Sequence, residues 1–400
     1  MASVSVGTTT DAATITHGRN IVYVPSSNRV YVIYFDGTNL VYEYSDDNAN
    51  FSSPVTITNF AAAVTAFYDS VNSRLNIVYG GGNNANTGLS MRAITSNAAT
   101  GVPGALTTET VIDAGGSNLG VVRPYAFHSA TGSNPRYWVI ATKLTAATTY
   151  QTRAWYAGAG ATADAGANWS STNFTDLGAN SDSNSSKCGV GIYWQVSGVD
   201  KVTLVFQEGS SDTDHETVTF DPTAATPTPG TVGVVTGSAH HNPVNIFGEG
   251  AILAIAAKSD YLMVSSFETT SNDVNFFKTV NGTTWTKPSG WADLVMGRHQ
   301  LASDGTNFYL LYADAYGALA TTDENLSYRK ITTATDAMGS AVAFSDTQGN
   351  GVSVPEQTGA FNLLVFYRGS TASPYTVRFD FVDITVAPTQ LKNMMLMGVS

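Results

Sequence analysis

The sequence has one cysteine, Cys188, in 400 residues. A lone thiol excludes an intramolecular disulfide and any cysteine-based zinc cluster. Its setting, Lys187-Cys188-Gly189 at the start of an apolar strand, reads as a small buried hydrophobe rather than a nucleophile. Charge is also scarce: Asp, Glu, Lys and Arg make up 12% of the chain, against a usual soluble share of about 25%. Nineteen Lys and Arg face 31 Asp and Glu, for a net charge of −12. With no basic stripe and no interleaved aromatics, a phosphate backbone would be repelled, so nucleic acid is not expected as a partner. No apolar run approaches the roughly 20 residues of a membrane span, and no membrane insertion is expected. The opening Met1 to Gly7 lacks a basic n-region and a continuous apolar h-region, so a chain made without an export signal is expected.

What the sequence does have is repetition. Seven times a short apolar strand, a turn of Ser, Asn, Gly or Asp, and a second run of aliphatic and aromatic residues follow one another. The second runs are Val30–Phe35, Leu75–Tyr79, Tyr137–Ala141, Val202–Phe206, Tyr261–Val264, Phe308–Tyr312 and Phe361–Phe366. Their β-branched and aromatic content suits a pleated, largely buried surface, and the preceding turns suit hairpins. Successive phrases are roughly 45 to 65 residues apart, near the about 40 to 50 of propeller blades with loop insertions. The pattern predicts an all-β fold, a single β-propeller of seven four-stranded blades over residues 1–386, with six blades as the fallback. Phrase seven has three evident strands, and Ala2–Val6 alternates as a spare strand. The expectation is that this N-terminal strand completes the last blade and closes the ring, leaving only short sheet edges exposed.

Turns after several phrases share a second motif. Thr162, Asp164, Gly166 and Trp169 fit S/T-x-D-x-G-x-x-W, and Thr321, Asp323, Asn325 and Tyr328 fit it with Asn for Gly and Tyr for Trp. Two copies are one residue short: Thr279 with Asn281, Gly282 and Trp285, and Ser45 with Asp47 and Phe51. This motif resembles the Asp-box of sialidase-like β-propellers. The resemblance implies a structural role away from the active face: hydroxyl and carboxylate bond the turn's N–H groups, glycine takes positive φ, and the aromatic plugs the blade.

The same resemblance directs attention to arginines that open inner strands, Arg19, Arg123 and Arg298, with His299 beside the last. Converging at one channel mouth, they would form a ligand-binding site, since a guanidinium can grip a carboxylate by two parallel bonds. A sialidase-like hydrolase would also need a tyrosine nucleophile backed by Glu, and an Asp acid/base. The family's Arg-Ile-Pro motif is absent here, and Glu208, Glu249 and Glu268 have no evident tyrosine partner, so a non-enzymatic reading is preferred and no catalytic residue is assigned. His215, His240 and His241 with Asp212, Asp214 and Glu216 read as solvated loop without metal-ligand spacing. Asp36-Gly37 and Asp304-Gly305 read as turns rather than calcium ligands. No metal or cofactor is expected. Trp155 and Trp194 read as packing residues before sugar platforms.

After Val386 the repeat stops, and residues 387–400 form a short apolar segment with Leu391, Met394, Met395, Leu396, Met397 and Val399. Unbranched methionine adapts to a partner surface, which suits docking. This segment and the Thr/Ala/Ser/Asn-rich body resemble tailed-bacteriophage virion and appendage proteins. The resemblance implies a non-enzymatic structural or interaction protein located in the virion, with other virion proteins as partners of the segment and a host surface glycan as a further ligand. The alternative reading is a sialidase-like glycoside hydrolase.

Overall fold

The computed structural model describes residues 4–9, 17–59, 63–80, 88–96, 103–115, 121–129, 134–146, 149–173, 188–206, 215–235, 253–258, 260–268, 273–288, 294–295, 299–313, 325–344, 350–355, 362–369 and 373–383. Their strands form seven antiparallel sheets arranged as a β-propeller. The first strands of blades 1 to 7 are Ile21–Val24, Ala63–Asp69, Val121–Ser129, Gly189–Val196, Leu253–Lys258, His299–Ser303 and Asn350–Ser353. They pack beside one another around the axis. The first six predicted second runs lie within the second strands of their blades, from Arg29–Phe35 in blade 1 onward, and the seventh lies in Asn362–Arg368 of blade 7 except for Phe361, which is outside the described residues. The outermost position is split into two short segments in blade 2 (Pro103–Leu106 and Thr110–Asp113) and in blade 6 (Ala337–Met338 and Val342–Ala343).

Val4–Thr9 lies antiparallel to Tyr375–Asp383, with Val4 opposite Phe379 and Thr9 opposite Tyr375. The last sheet therefore has its outermost strand from the far end of the chain. The Thr9 hydroxyl donates to the Phe35 carbonyl of blade 1 at 2.7 Å. Gly7 packs over the Tyr34 hydroxyl and Glu43 of blade 1, where a Cβ would collide with the Tyr34 hydroxyl. Beneath it, Tyr34 donates to Glu43 Oε1 at 2.5 Å.

Antiparallel order puts the first-to-second and third-to-fourth strand turns on one face, called lower here, and the remaining connections on the upper face. On the lower face, blades 2 to 6 are tied each to the next. Arg74 of blade 2 pairs with Asp164 of blade 3 at 2.6 Å. Arg136 of blade 3 donates to the Pro222 and Ala225 carbonyls of blade 4 at 2.5 and 2.8 Å. The Asp260 N–H of blade 5 donates to the Gln195 carbonyl of blade 4 at 2.9 Å. Tyr261 of blade 5 donates to Asp336 of blade 6 at 2.7 Å, and Lys278 of blade 5 pairs with the same carboxylate.

The Asp-box expectations need correction. In the short copy, Asp47 Oδ1 accepts the N–H groups of Ala49 and Asn50 at 2.9 and 2.7 Å and the Ser45 hydroxyl at 3.0 Å. These bonds hold the Asp47 carboxyl well below its ordinary pKa. Asn281 Oδ1 likewise accepts the Thr283 and Thr284 N–H groups at 3.0 and 2.8 Å, with Gly282 at φ 79°. In the full-length copy at Thr162 the chain instead forms 3-10 turns over Gly160–Asp164 and Gly166–Asn168. There the Asp164 carboxylate faces Arg74 rather than its own turn, because a buried guanidinium with a two-bonded fit outcompetes local N–H donors. Trp169 still plugs the blade edge, its indole N–H bonded to the Ala163 carbonyl at 2.9 Å.

In the copy at Thr321 only Asn325 and Tyr328 are among the described residues. Its Tyr328 sits inside the third strand, Leu326–Thr332, packed on Tyr309, and Asn325 is exposed. Thr321 and Asp323 lie outside the described residues, as do Arg298 and the segment residues Leu391, Met394, Met395, Leu396, Met397 and Val399. His215, expected in a solvated loop, starts the buried third strand of blade 4, His215–Phe220, and bonds Ser266 of blade 5 at 3.2 Å. Trp155 and Trp194 are buried in the clusters between blades.

Candidate functional site

The segment His17–Asn20, which feeds the first strand of blade 1, crosses the axis and touches most of the ring. Arg19 is 2% exposed. Its Nε donates to the Tyr125 hydroxyl of blade 3 at 3.0 Å, Nη1 to the Val354 carbonyl after the first strand of blade 7 at 3.0 Å, and Nη2 to the Ile255 carbonyl of blade 5 at 3.1 Å. Its backbone N–H donates to the Thr65 hydroxyl of blade 2, and its carbonyl accepts the Ala66 N–H. His17 Nε2 lies 3.0 Å from the Gly189 carbonyl of blade 4. Asn20 donates its N–H to the Ser353 hydroxyl of blade 7 at 2.8 Å.

Gly18 makes this crossing possible, since a Cβ there would lie 2.5 Å from both Thr65 Cβ and the Val64 carbonyl oxygen. Arg19 is therefore a fastener of the ring rather than a ligand clamp, which corrects its assignment to a binding site. A planar cation with donors in several directions suits carbonyls arriving from several blades.

Arg123 reaches the same region by a different route. The pairing of Val121–Ser129 with Arg136–Ala146 slips between Val122 and Tyr125, and Arg123 sits in the bulge at φ 52°, half-buried, before Pro124. A bulge re-aims a side chain, and a non-glycine residue in the left-handed region costs on the order of 1 kcal/mol. Burial lowers the Arg123 pKa, with Cys188 opposing the fall. The Cys188 thiol is pushed up to about 12 by burial, against the Arg123 charge, and so stays an inert thiol.

His17 is lowered to about 4, mainly by burial; the Gly189 bond opposes this, and the charges of Arg123 and His299 add to it. The imidazole is neutral at pH 7. His299, fully buried at the start of the first strand of blade 6, belongs to this cluster through its action on His17. The axial site thus unites two of the residues expected there, Arg123 and His299, with His17, Tyr125 and Cys188. His17 and Tyr125 were missed by sequence reasoning. Their adjacency to Arg19 and Arg123, in His17-Gly18-Arg19 and Arg123-Pro124-Tyr125, is the available signal.

The chemistry on hand is electrostatic and hydrogen-bonding. Among the described residues no group of three or more His, Cys, Asp or Glu side chains could hold a metal. The Tyr34–Glu43 pair resembles a glutamate-backed tyrosine in chemistry but lies inside blade 1 beneath Val4–Thr9, away from the axis.

No protein-family model and no curated protein matches the chain. Solved structures do resemble it. The polysaccharide lyase Uly1 superposes with a TM-score of 0.55 at 11% identity, over 92% of this chain and 90% of its own. The Penicillium chrysogenum alpha-L-arabinanase gives 0.50 at 8% identity, over 96% and 98%. The Hadza microbial sialidase Hz136 gives 0.50 at 10% identity, over 87% and 74%. At these identities the likeness is one of fold.

Proposed function

We propose that the chain is a non-enzymatic interaction protein of a bacteriophage virion, a rigid propeller that binds carbohydrate. Residues 387–400 would attach it to neighbouring virion proteins. The observation that carries the non-enzymatic reading is the commitment of Arg19: Nε, Nη1 and Nη2 each donate within the protein and the residue is 2% exposed, so this guanidinium serves the ring rather than a substrate carboxylate. The pair of Tyr34 and Glu43 is buried inside a blade, which supports the same reading.

Carbohydrate is the ligand class to test first, because the three solved propellers above are named as a polysaccharide lyase, an arabinanase and a sialidase. Arg123, half-buried at the axial mouth, would supply polar recognition, with His17 and His299 buried behind it. The ties along the lower face support the platform role. The apolar, methionine-rich segment with Met394, Met395 and Met397 supports attachment to a protein surface.

The test is a glycan array read beside a panel of fluorogenic glycosides that includes a sialoside. Glycan binding without turnover is expected; turnover abolished by Arg123→Ala would replace this reading with a glycoside hydrolase. For the virion part, the protein should sediment with purified particles at a fixed copy number, and recovery only as free protein would refute it.

A further inference from the structure

Blade 3 carries an open groove on its lower face with a volume of about 410 Å³, within the range of roughly 300 to 1,000 Å³ typical of small-molecule sites. Two turns of the same blade wall it. One joins the first and second strands at Asn134 and Pro135, and the other leaves the third strand, Thr149–Gly158, and runs to Asn168. Pro135, Ala157 and Ala159 give it an apolar lining, while Asn134, Thr162, Asn168 and Tyr156 supply uncharged polar groups.

The polar groups are held in place by the fold. Asn134 donates its amide to the Thr223 carbonyl of blade 4 at 2.7 Å, and Asn168 donates to the Thr162 carbonyl at 2.8 Å. Each amide keeps its side-chain carbonyl as an acceptor, and the Tyr156 and Thr162 hydroxyls add donors. Side chains already ordered reduce the entropy lost on binding.

Arg136 decides the charge of the ligand. Its two terminal nitrogens are spent on the Pro222 and Ala225 carbonyls, and the guanidinium lies over the Tyr156 ring, 5.5 Å from the centroid. Both bonds and the ring contact hold the guanidinium against blade 4 and Tyr156, so Arg136 serves the contact between blades rather than standing as a free cation for an anionic ligand. A net charge of −12 further disfavours anions. What fits is a neutral molecule with an apolar body and many hydroxyls. We propose that this groove binds a short neutral saccharide, as a site on the face opposite the axial mouth. The proposal rests on the carbohydrate reading above, to which it adds a location and a ligand class.

The test is saturation-transfer NMR and titration of the full chain with neutral methyl glycosides and disaccharides of the gluco, galacto and manno series. Tyr156→Phe removes only a hydroxyl, and Asn168→Ala changes an exposed turn residue, so both variants keep the strands. Binding of at least one sugar is expected, weakened about three- to tenfold in each variant, the loss of one uncharged hydrogen bond. If the sugars bind both variants as they bind the wild type, the groove assignment is overturned. Glycan binding lost in Arg123→Ala but normal in Tyr156→Phe and Asn168→Ala overturns the groove and leaves the carbohydrate reading standing. No binding by any sugar in the panel or on the array overturns both.

Discussion

Arg74 and Asp164, 90 residues apart in sequence, meet across the lower face in two bonds, Nη2 to Oδ1 at 2.6 Å and Nη1 to Oδ2 at 3.1 Å. The arginine is nearly buried and the carboxylate about one-third exposed, so solvent screens part of the attraction. Asp164→Ala would leave a guanidinium without its partner, at a cost of about 1 to 2 kcal/mol. The expected result is a lower urea midpoint with an unchanged slope. Combining Asp164→Ala with Arg74→Met should cost less than the sum of the two single changes. Additive costs would mean that Asp164 acts on its own turn.

Arg19 makes a larger prediction. Arg19→Met keeps the length and apolar stem of the side chain but leaves the Val354 and Ile255 carbonyls and the Tyr125 hydroxyl without their donor. At about 1 kcal/mol or more for each abandoned buried acceptor, the loss should reach about 3 kcal/mol. Equilibrium unfolding checks it, since a residue kept for ligand contact would change stability little.

These two arginines mark the boundary of what a one-dimensional reading reaches. The blade strands were legible because β-branched and aromatic runs alternate with turn residues at close range, and all seven second strands fall where that pattern puts them. The turn motif misled at Thr162, where spacing is complete but the carboxylate is taken by Arg74, which no local pattern reveals. The shortened copies kept the turn because an Asx turn needs only N–H groups two and three residues on, which Ala49 and Asn50, or Thr283 and Thr284, provide. Arg19 and Arg123 likewise look equivalent in sequence. One finds acceptors 106 to 335 residues away, while the other is turned by a bulge visible only in the register.

The turn copies can be ranked by mutation. Asn281→Ala removes the acceptor for two turn N–H groups and should cost about 1 kcal/mol, as loss of a capping side chain does. Asn325→Ala, at an exposed position, should stay within about 0.5 kcal/mol. Thermal denaturation of both variants compares them directly, and equal costs would contradict the different surroundings of the two asparagines.

The dependence of stability on pH brings Glu43 and His17 into opposition. Burial raises Glu43 to about 7 from 4.5, with the Tyr34 bond opposing. The folded state therefore holds a proton that the unfolded state releases, and this contribution is lost as pH rises from about 4.5 through about 7. His17 is depressed from 6.5 to about 4, so its contribution is present above 6.5 and lost as pH falls toward 4. His128, also lowered by burial, acts in the same sense as His17. Each of the Glu43 and His17 effects is on the order of 2 to 3 kcal/mol at its limit, and they largely cancel between about pH 4.5 and about pH 6.5. The wild type should show a shallow profile there by urea denaturation. Glu43→Gln, which keeps an acceptor for Tyr34, should make stability rise with pH across that window. His17→Gln, which keeps a donor for the Gly189 carbonyl, should tilt the profile the other way. Parallel profiles for the two variants would show that neither group titrates as its surroundings dictate.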